Sequence, residues 1–106
     1  MASREPLLRV SVTLDGDSAV LGLDGELDVA SQSILADALL EIEQRPPRHL
    51  VVDAARLTFV DAAGLHPLLS AKARMPAARI ELHNVRPQIA RVLRLLDLAD
   101  AFGVDP

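Results

Sequence analysis

The 106-residue chain reads as an α/β protein built on a mixed β-sheet: an N-terminal antiparallel hairpin, then parallel strands, flanked by α-helices. Three observations lead there. Apolar residues recur at every second position on both sides of Asp15-Gly16-Asp17, which is the pattern of a hairpin. From Ser31 onward the apolar period switches between that of a helix and that of a strand, and such alternation implies parallel pairing with right-handed crossovers. Between two helical stretches, His49-Leu50-Val51-Val52-Asp53 is almost wholly apolar, as expected of a central strand covered on both faces.

Each element follows from its neighbours. Leu8, Val10, Val12 and Leu14 line one face of the first strand, and Asp-Gly supplies a turn whose residues tolerate positive φ. In the second strand Val20, Gly22 and Asp24 alternate with Ala19, Leu21 and Leu23, and Gly25-Glu26-Leu27-Asp28 closes it. The first helix carries the stripe Ile34, Leu35, Ala38, Leu39 and Ile42. Asp28 or Ser31 can cap its start, and Pro46-Pro47 ends it because proline lacks the amide that the next turn needs. A second helix begins around Ala62–Leu65 and runs to about Arg74, with Leu65, Leu68 and Leu69 inward; Pro67 is harmless if it falls in the first turn, but further inside it deletes a hydrogen bond and kinks the helix. Arg79–His83 alternates as a strand. Pro87 opens a third helix with Ile89, Val92, Leu93 and Leu96 inward, and the tail is read as a short final strand near Phe102–Val104.

Composition narrows the function. The length suits one domain spanning residues 1–106, and 50% hydrophobic with 25% charged residues excludes a disordered chain. Cysteine is absent, so disulfides and thiolate metal sites are excluded. A net charge of −4 and only two aromatic residues, Phe59 and Phe102, argue against a nucleic-acid partner. No apolar run approaches the length of a membrane span, and Arg4, Glu5, Pro6 and Arg9 leave no room for a signal peptide's apolar stretch, so the expectation is a cytoplasmic protein without direct membrane insertion.

The search for catalytic chemistry is negative: no nucleophile elbow, no phosphate-cradling glycine loop with lysine, no helical His-Glu-x-x-His and no cofactor motif. His49, His66 and His83 are widely spaced, with no metal-ligand signature, so no metal is expected. Asp53, read at the carboxyl end of a central strand, is placed like the phospho-acceptor of a receiver domain. The acid pair and strand-end lysine such a site needs are missing, since Lys72 lies in a helix.

The informative stretch is Leu57-Thr58-Phe59-Val60-Asp61-Ala62-Ala63-Gly64-Leu65. It resembles the signature of the STAS domains, the bacterial anti-sigma factor antagonist (anti-anti-sigma factor) family, in which Asp-Ser-Ser-Gly-Leu opens a helix. Gly25-Glu26-Leu27-Asp28 is similar to that family's Gly-Glu-Leu-Asp, Val51-Val52-Asp53 to its central strand and Leu95-Leu96-Asp97-Leu98 to its last helix. The resemblance spans nearly the whole chain in the right order. It implies a non-enzymatic regulator that binds an anti-sigma factor of serine-kinase fold and frees a sigma factor, as a monomer or weak dimer. It also implies a partner-binding set of Asp28, Asp61, Ala62, Ala63, Gly64 and Leu65, and the order of periodicities predicts that the turn from Asp61 to Leu65 is exposed at one sheet edge.

The chain departs from the family at the decisive position. Ala63 stands where the family has its phosphorylated serine, and Ala62 replaces the serine before it. Alanine has no hydroxyl, so this site cannot be phosphorylated, whereas Asp61, Gly64 and Leu65 remain to shape the binding surface that the resemblance implies. Ser31, Ser33, Thr58 and Ser70 are the other hydroxyls considered as acceptors. The alternative role is a small cytosolic STAS subunit of a lipid-transport ABC system or of a sensory multiprotein complex.

Overall fold

The computed structural model describes residues 7–106, so Arg4, Glu5 and Pro6 lie outside the described residues. Along the chain run β1 (Leu8–Asp15), β2 (Ser18–Leu27), α1 (Gln32–Glu43), β3 (His49–Val60), α2 (Ala62–Arg74), β4 (Arg79–His83), α3 (Pro87–Leu95) and a short 3-10 helix, Asp100–Phe102. The sheet order is β1-β2-β3-β4. The first pair is antiparallel and the other two are parallel, the mixed sheet the sequence predicts.

The hairpin turn is one residue later than the Asp-Gly signal suggests. Asp15 pairs with Ser18, which leaves Gly16 and Asp17 as the two-residue loop. Gly16 takes φ 59 and Asp17 keeps a negative φ, so glycine at the first central position sets a turn that matches strand twist.

Register decides which residues are buried. Val10, Val12 and Leu14 pair with Leu23, Leu21 and Ala19, and these side chains point to the face that carries the helices. Leu50, Val52, Ile80 and Leu82 continue that face across β3 and β4, and one core joins them to Leu35 and Leu39 of α1, Leu65 and Leu68 of α2, and Ile89 and Leu93 of α3. The outer ends of α1 and α2 are tied by a bidentate pair between Arg74 and Glu43. The opposite face holds Ser11, Thr13, Val20, Val51, Asp53, Glu81 and His83, none of them buried. The central strand is therefore covered on one face only. Val51 sits half-buried on the open face, and an apolar residue there is what made the run look doubly covered.

β3 is also longer than the apolar run. It continues through Arg56 and Thr58 to Val60, paired along its length with β2, so Asp53 lies mid-strand rather than at a carboxyl end. β4 stops at His83, opposite Asp53, and from Ala54 onward β3 is bonded on one side only. Arg86, at the N-cap of α3, donates to the Ala55 carbonyl across this free edge (2.9 Å).

The C-terminal tail is not a strand. α3 ends at Leu95 in a Schellman motif: Leu98 N–H bonds the Leu93 carbonyl (2.8 Å) and Asp97 N–H that of Arg94 (3.0 Å), with Asp97 at φ 59. This turn leaves Leu96 exposed instead of inward. The reversal delivers Ala99 and Phe102 into the core, Phe102 fully buried. Val104 N–H closes the 3-10 turn on the Ala99 carbonyl, and Lys72 donates to the Ala101 carbonyl while standing 5.5 Å above the Phe102 ring.

Because Phe102 belongs to the core, Phe102→Ala should cost about 3–5 kcal/mol of unfolding free energy. Leu96→Ala, at an exposed position, should cost under about 0.5 kcal/mol. Urea unfolding curves of the two variants check this, and equal small losses would place the tail outside the cooperative unit.

Candidate functional site

The end of β2 and the start of α2 form one junction. Asp61 N–H bonds the Leu27 carbonyl (3.2 Å), joining the residue after β3 to the last residue of β2. One turn later Gly64 lies flat against the same backbone. A Cβ on Gly64 would stand 2.2 Å from the Leu27 oxygen and 2.8 Å from the Asp28 nitrogen, so only glycine permits this approach. Leu65, adjacent in the helix, is buried beneath it.

Asp61 is the N-cap of α2: its Oδ1 accepts from Gly64 N–H (2.8 Å), satisfying one of the orphan amides of the first turn. The matching turn before α1 is held differently. Asp28 Oδ1 accepts from the Ala30 and Ser31 amides (3.0 and 3.1 Å). Ser31 is the N-cap residue but does not cap through its side chain. Its Oγ accepts from Asp28 N–H (3.0 Å) and donates to the Glu26 carbonyl (2.7 Å), and the residue is 1% exposed. Of the two caps allowed by the sequence, Asp28 is the one that holds the chain entering α1.

The structure thus brings together all six residues of the expected binding set, with different accessibility. Ala62 is exposed and Asp28, Asp61 and Ala63 are half-buried, whereas Gly64 and Leu65 are buried and shape the surface from below. Pro67 lies inside α2, which continues to Arg74. Its missing N–H withdraws the usual helical partner of the Ala63 carbonyl. The turn stands at the carboxyl end of the free half of β3, at a sheet edge, but the expectation of an exposed turn from Asp61 to Leu65 holds only in part, because Gly64 packs on the Leu27 backbone and Leu65 enters the core. Around it the chain exposes two large apolar side chains that the sequence reading passed over: Val29, 67% exposed, and Phe59, 45% exposed. Phe59 sits in register with Glu26, two residues before Asp28. From α2 a shallow groove of about 380 Å³ runs toward α1, floored by Ala36 and Pro67 and rimmed by Leu40, His66 and Ser70. Of the alternative hydroxyls, Ser31 is buried and committed, Thr58 donates to the Gly25 carbonyl (3.0 Å), Ser33 is exposed and Ser70 half-buried.

Two other polar groupings lie on the open sheet face. Asp53 Oδ1 accepts from Asn84 Nδ2 (3.1 Å) and from Ala55 N–H (3.0 Å). The Asn84 bond first, then the Ala55 amide, hold its carboxyl below the ordinary range. Beside it, His49 Nε2 and His83 Nε2 lie 2.8 and 3.5 Å from Glu81 Oε1, and Arg79 lies 3.3 Å from Oε2. The His49 bond, followed by the Arg79 charge, depresses the Glu81 carboxyl. Sequence spacing hides this cluster because His49 meets the other two only through strand pairing.

Asp61→Ala removes a cap and should cost about 1 kcal/mol, lowering Tm by about 4–8 °C in a domain near this size. A Tm unchanged in calorimetry would deny the cap. Asn84 has φ 57, so Asn84→Gly keeps the backbone and deletes only the amide bond to Asp53. A carboxyl whose folded pKa is depressed stabilises the fold above its unfolded pKa, and that contribution is lost as pH falls through the folded value. In Asn84→Gly the Asp53 pKa should therefore rise toward its ordinary value in a ¹³C NMR titration, and the acid-side loss of stability should shrink. An unmoved Asp53 titration would contradict the assignment.

Comparison with known proteins places the chain in a family. The family described as "Mlab, STAS domain" matches residues 10–104. No curated protein sequence matches the chain. Among solved structures, an anti-sigma factor antagonist from Mycobacterium paratuberculosis is 20% identical, with TM-score 0.83 over 99% of this chain and 91% of that one. The anti-sigma factor antagonist SpoIIAA in its unphosphorylated form is 22% identical, with TM-score 0.72 over 86% and 81% of the two chains. A sulfate transporter family protein from Wolinella succinogenes is 18% identical, with TM-score 0.68 over 86% and 75%. The shared fold and the family match over residues 10–104 show that the chain belongs to the STAS domain family.

Proposed function

We propose that the chain is a non-enzymatic regulatory binding protein of the anti-sigma factor antagonist type. It docks an anti-sigma factor of serine-kinase fold through the surface around Asp28, Phe59 and Ala62, and so releases a sigma factor. The observation that carries this reading is the hydroxyl-free helix start: Ala62 exposed and Ala63 half-buried, next to Gly64 packed on the Leu27 backbone and flanked by exposed Val29 and Phe59. Large apolar side chains beside a fixed turn suit a protein partner, because burying them contributes affinity with little ordering cost. Two of the similar structures are named anti-sigma factor antagonists, which supports this partner class. Among the described residues no helix is long and apolar enough to cross a membrane.

The missing hydroxyl makes the complex insensitive to the partner's kinase activity. A phosphoryl group at a helix start adds close to two negative charges, and beside Asp61 these would repel an acidic contact. With alanine at position 63 the charge cannot be added there, and association depends on concentration alone. A second reading, a STAS subunit fixed in a transport or sensory assembly, draws on the likeness to a sulfate transporter family protein. It too dispenses with a switch.

Incubation with the anti-sigma factor kinase of the same cell and ATP tests the proposal. The wild-type chain should form the complex and gain no phosphoryl mass in intact-mass spectrometry. Phe59→Ala should weaken the complex by more than about tenfold while leaving the protein folded, and Ala63→Asp should weaken it through like charge at close range. A phosphate mapped to Ser33, Thr58 or Ser70 would contradict the absence of a switch. Capture of a transporter ATPase with no binding to the kinase would select the second reading.

A further inference from the structure

The open face of the sheet carries a set of donors that the STAS junction does not use. His49 lies on β3, and Glu81 and His83 are alternate residues of β4, so all three project from the same face. Val51 pairs with Glu81 and Asp53 with His83, which sets His49 diagonally beside Glu81. One ligand atom from each of His49, Glu81 and His83 lies within 4.8 Å of the other two, and Glu81 Oε1 is 2.8 Å from His49 Nε2 and 3.5 Å from His83 Nε2. A tetrahedral cation with bonds of about 2.0–2.2 Å needs ligand atoms about 3.4 Å apart. Small rotations of side chains that are partly exposed would reach that spacing, and strand pairing already fixes the backbone beneath them.

We propose that His49, Glu81 and His83 form a binding site for a divalent transition cation of the zinc type. Two imidazoles and one carboxylate favour zinc and its neighbours over magnesium or calcium, which prefer oxygen ligands alone. The three donors leave a fourth position toward solvent, where water completes the coordination. Arg79 holds the second carboxylate oxygen of Glu81 and orients the group. Its positive charge works against cation binding, while Asp53, opposite His83, works for it. Gly103 packs against the Glu81 side chain, so a cation here would clip β4 to β3 beside the C-terminal turn. The site lies at the amino end of β3, eleven residues of strand from Val60, about 35 Å from the Asp61 junction at the ordinary rise of a strand. It stands or falls independently of the proposed function.

The test uses the full chain without a histidine tag, stripped with EDTA and titrated with zinc chloride in a calorimeter. One zinc should bind per chain, with a rise in Tm, and the His49 and His83 Nε2 resonances should shift in ¹⁵N NMR. His49→Gln and His83→Gln should each weaken binding at least about tenfold, with EDTA-treated Tm values near that of wild type, whereas His66→Gln should bind as wild type does. No saturable binding below about 100 µM zinc, binding unchanged in both strand variants, or binding lost in His66→Gln would overturn the site.

Discussion

The contact on which the functional end of the molecule depends is the approach of Gly64 to the backbone of Leu27 and Asp28. Two chain reversals meet there, one entering α1 and one entering α2, and each has its own internal bonds. Without the close approach they would be two separate loops. With it, and with the Asp61 amide on the Leu27 carbonyl, they become one rigid unit. The glycine is thus a steric requirement set by the neighbouring strand. The acidic residues around it act first as caps, and their carboxylates are occupied with backbone amides that would otherwise lack partners.

The rest of the fold makes such a unit accessible. Because the three helices and the C-terminal turn share one face of the sheet, the core is completed without covering the carboxyl ends of β2 and β3. β4 is short, so β3 runs past it and carries Phe59 and the turn at Asp61 beyond the last paired strand. The Schellman turn after α3 then returns the chain, and Phe102 enters the core with Lys72 of α2 above its ring. The same economy leaves the second sheet face open, with its polar clusters in solvent.

Much of this was legible in the residues. Period-two and helical stripes located the four strands and the three α-helices, though not the full length of β3 or the 3-10 turn, and the order of motifs pointed to the family. What sequence periodicity missed has physical causes. The carboxyl half of β3 carries Arg56 and Thr58 with exposed Phe59, because it has no partner on one side, so it lacks the apolar run that marks a central strand. The tail near Phe102–Val104 forms no strand, and the turn that buries Phe102 rests on Asp97 in a left-handed conformation that composition does not announce. The helix-start set was visible as a motif, but its division into exposed Ala62 and buried Gly64 and Leu65 follows from packing against β2. His49 and Glu81, 32 positions apart, meet only through parallel pairing.

Amide hydrogen exchange in Gly64→Ala tests most directly whether the two turns act as one unit. A methyl group at position 64 must displace the Leu27 and Asp28 backbone. If the junction is a single rigid element, the Asp61 amide and the Ala30 and Ser31 amides should lose protection together, while the amides of Leu50 and Val52 in the core of β3 keep theirs. Loss of protection confined to the first turn of α2, with Ala30 and Ser31 exchanging at wild-type rates, would show that the loops are independent and would contradict the account.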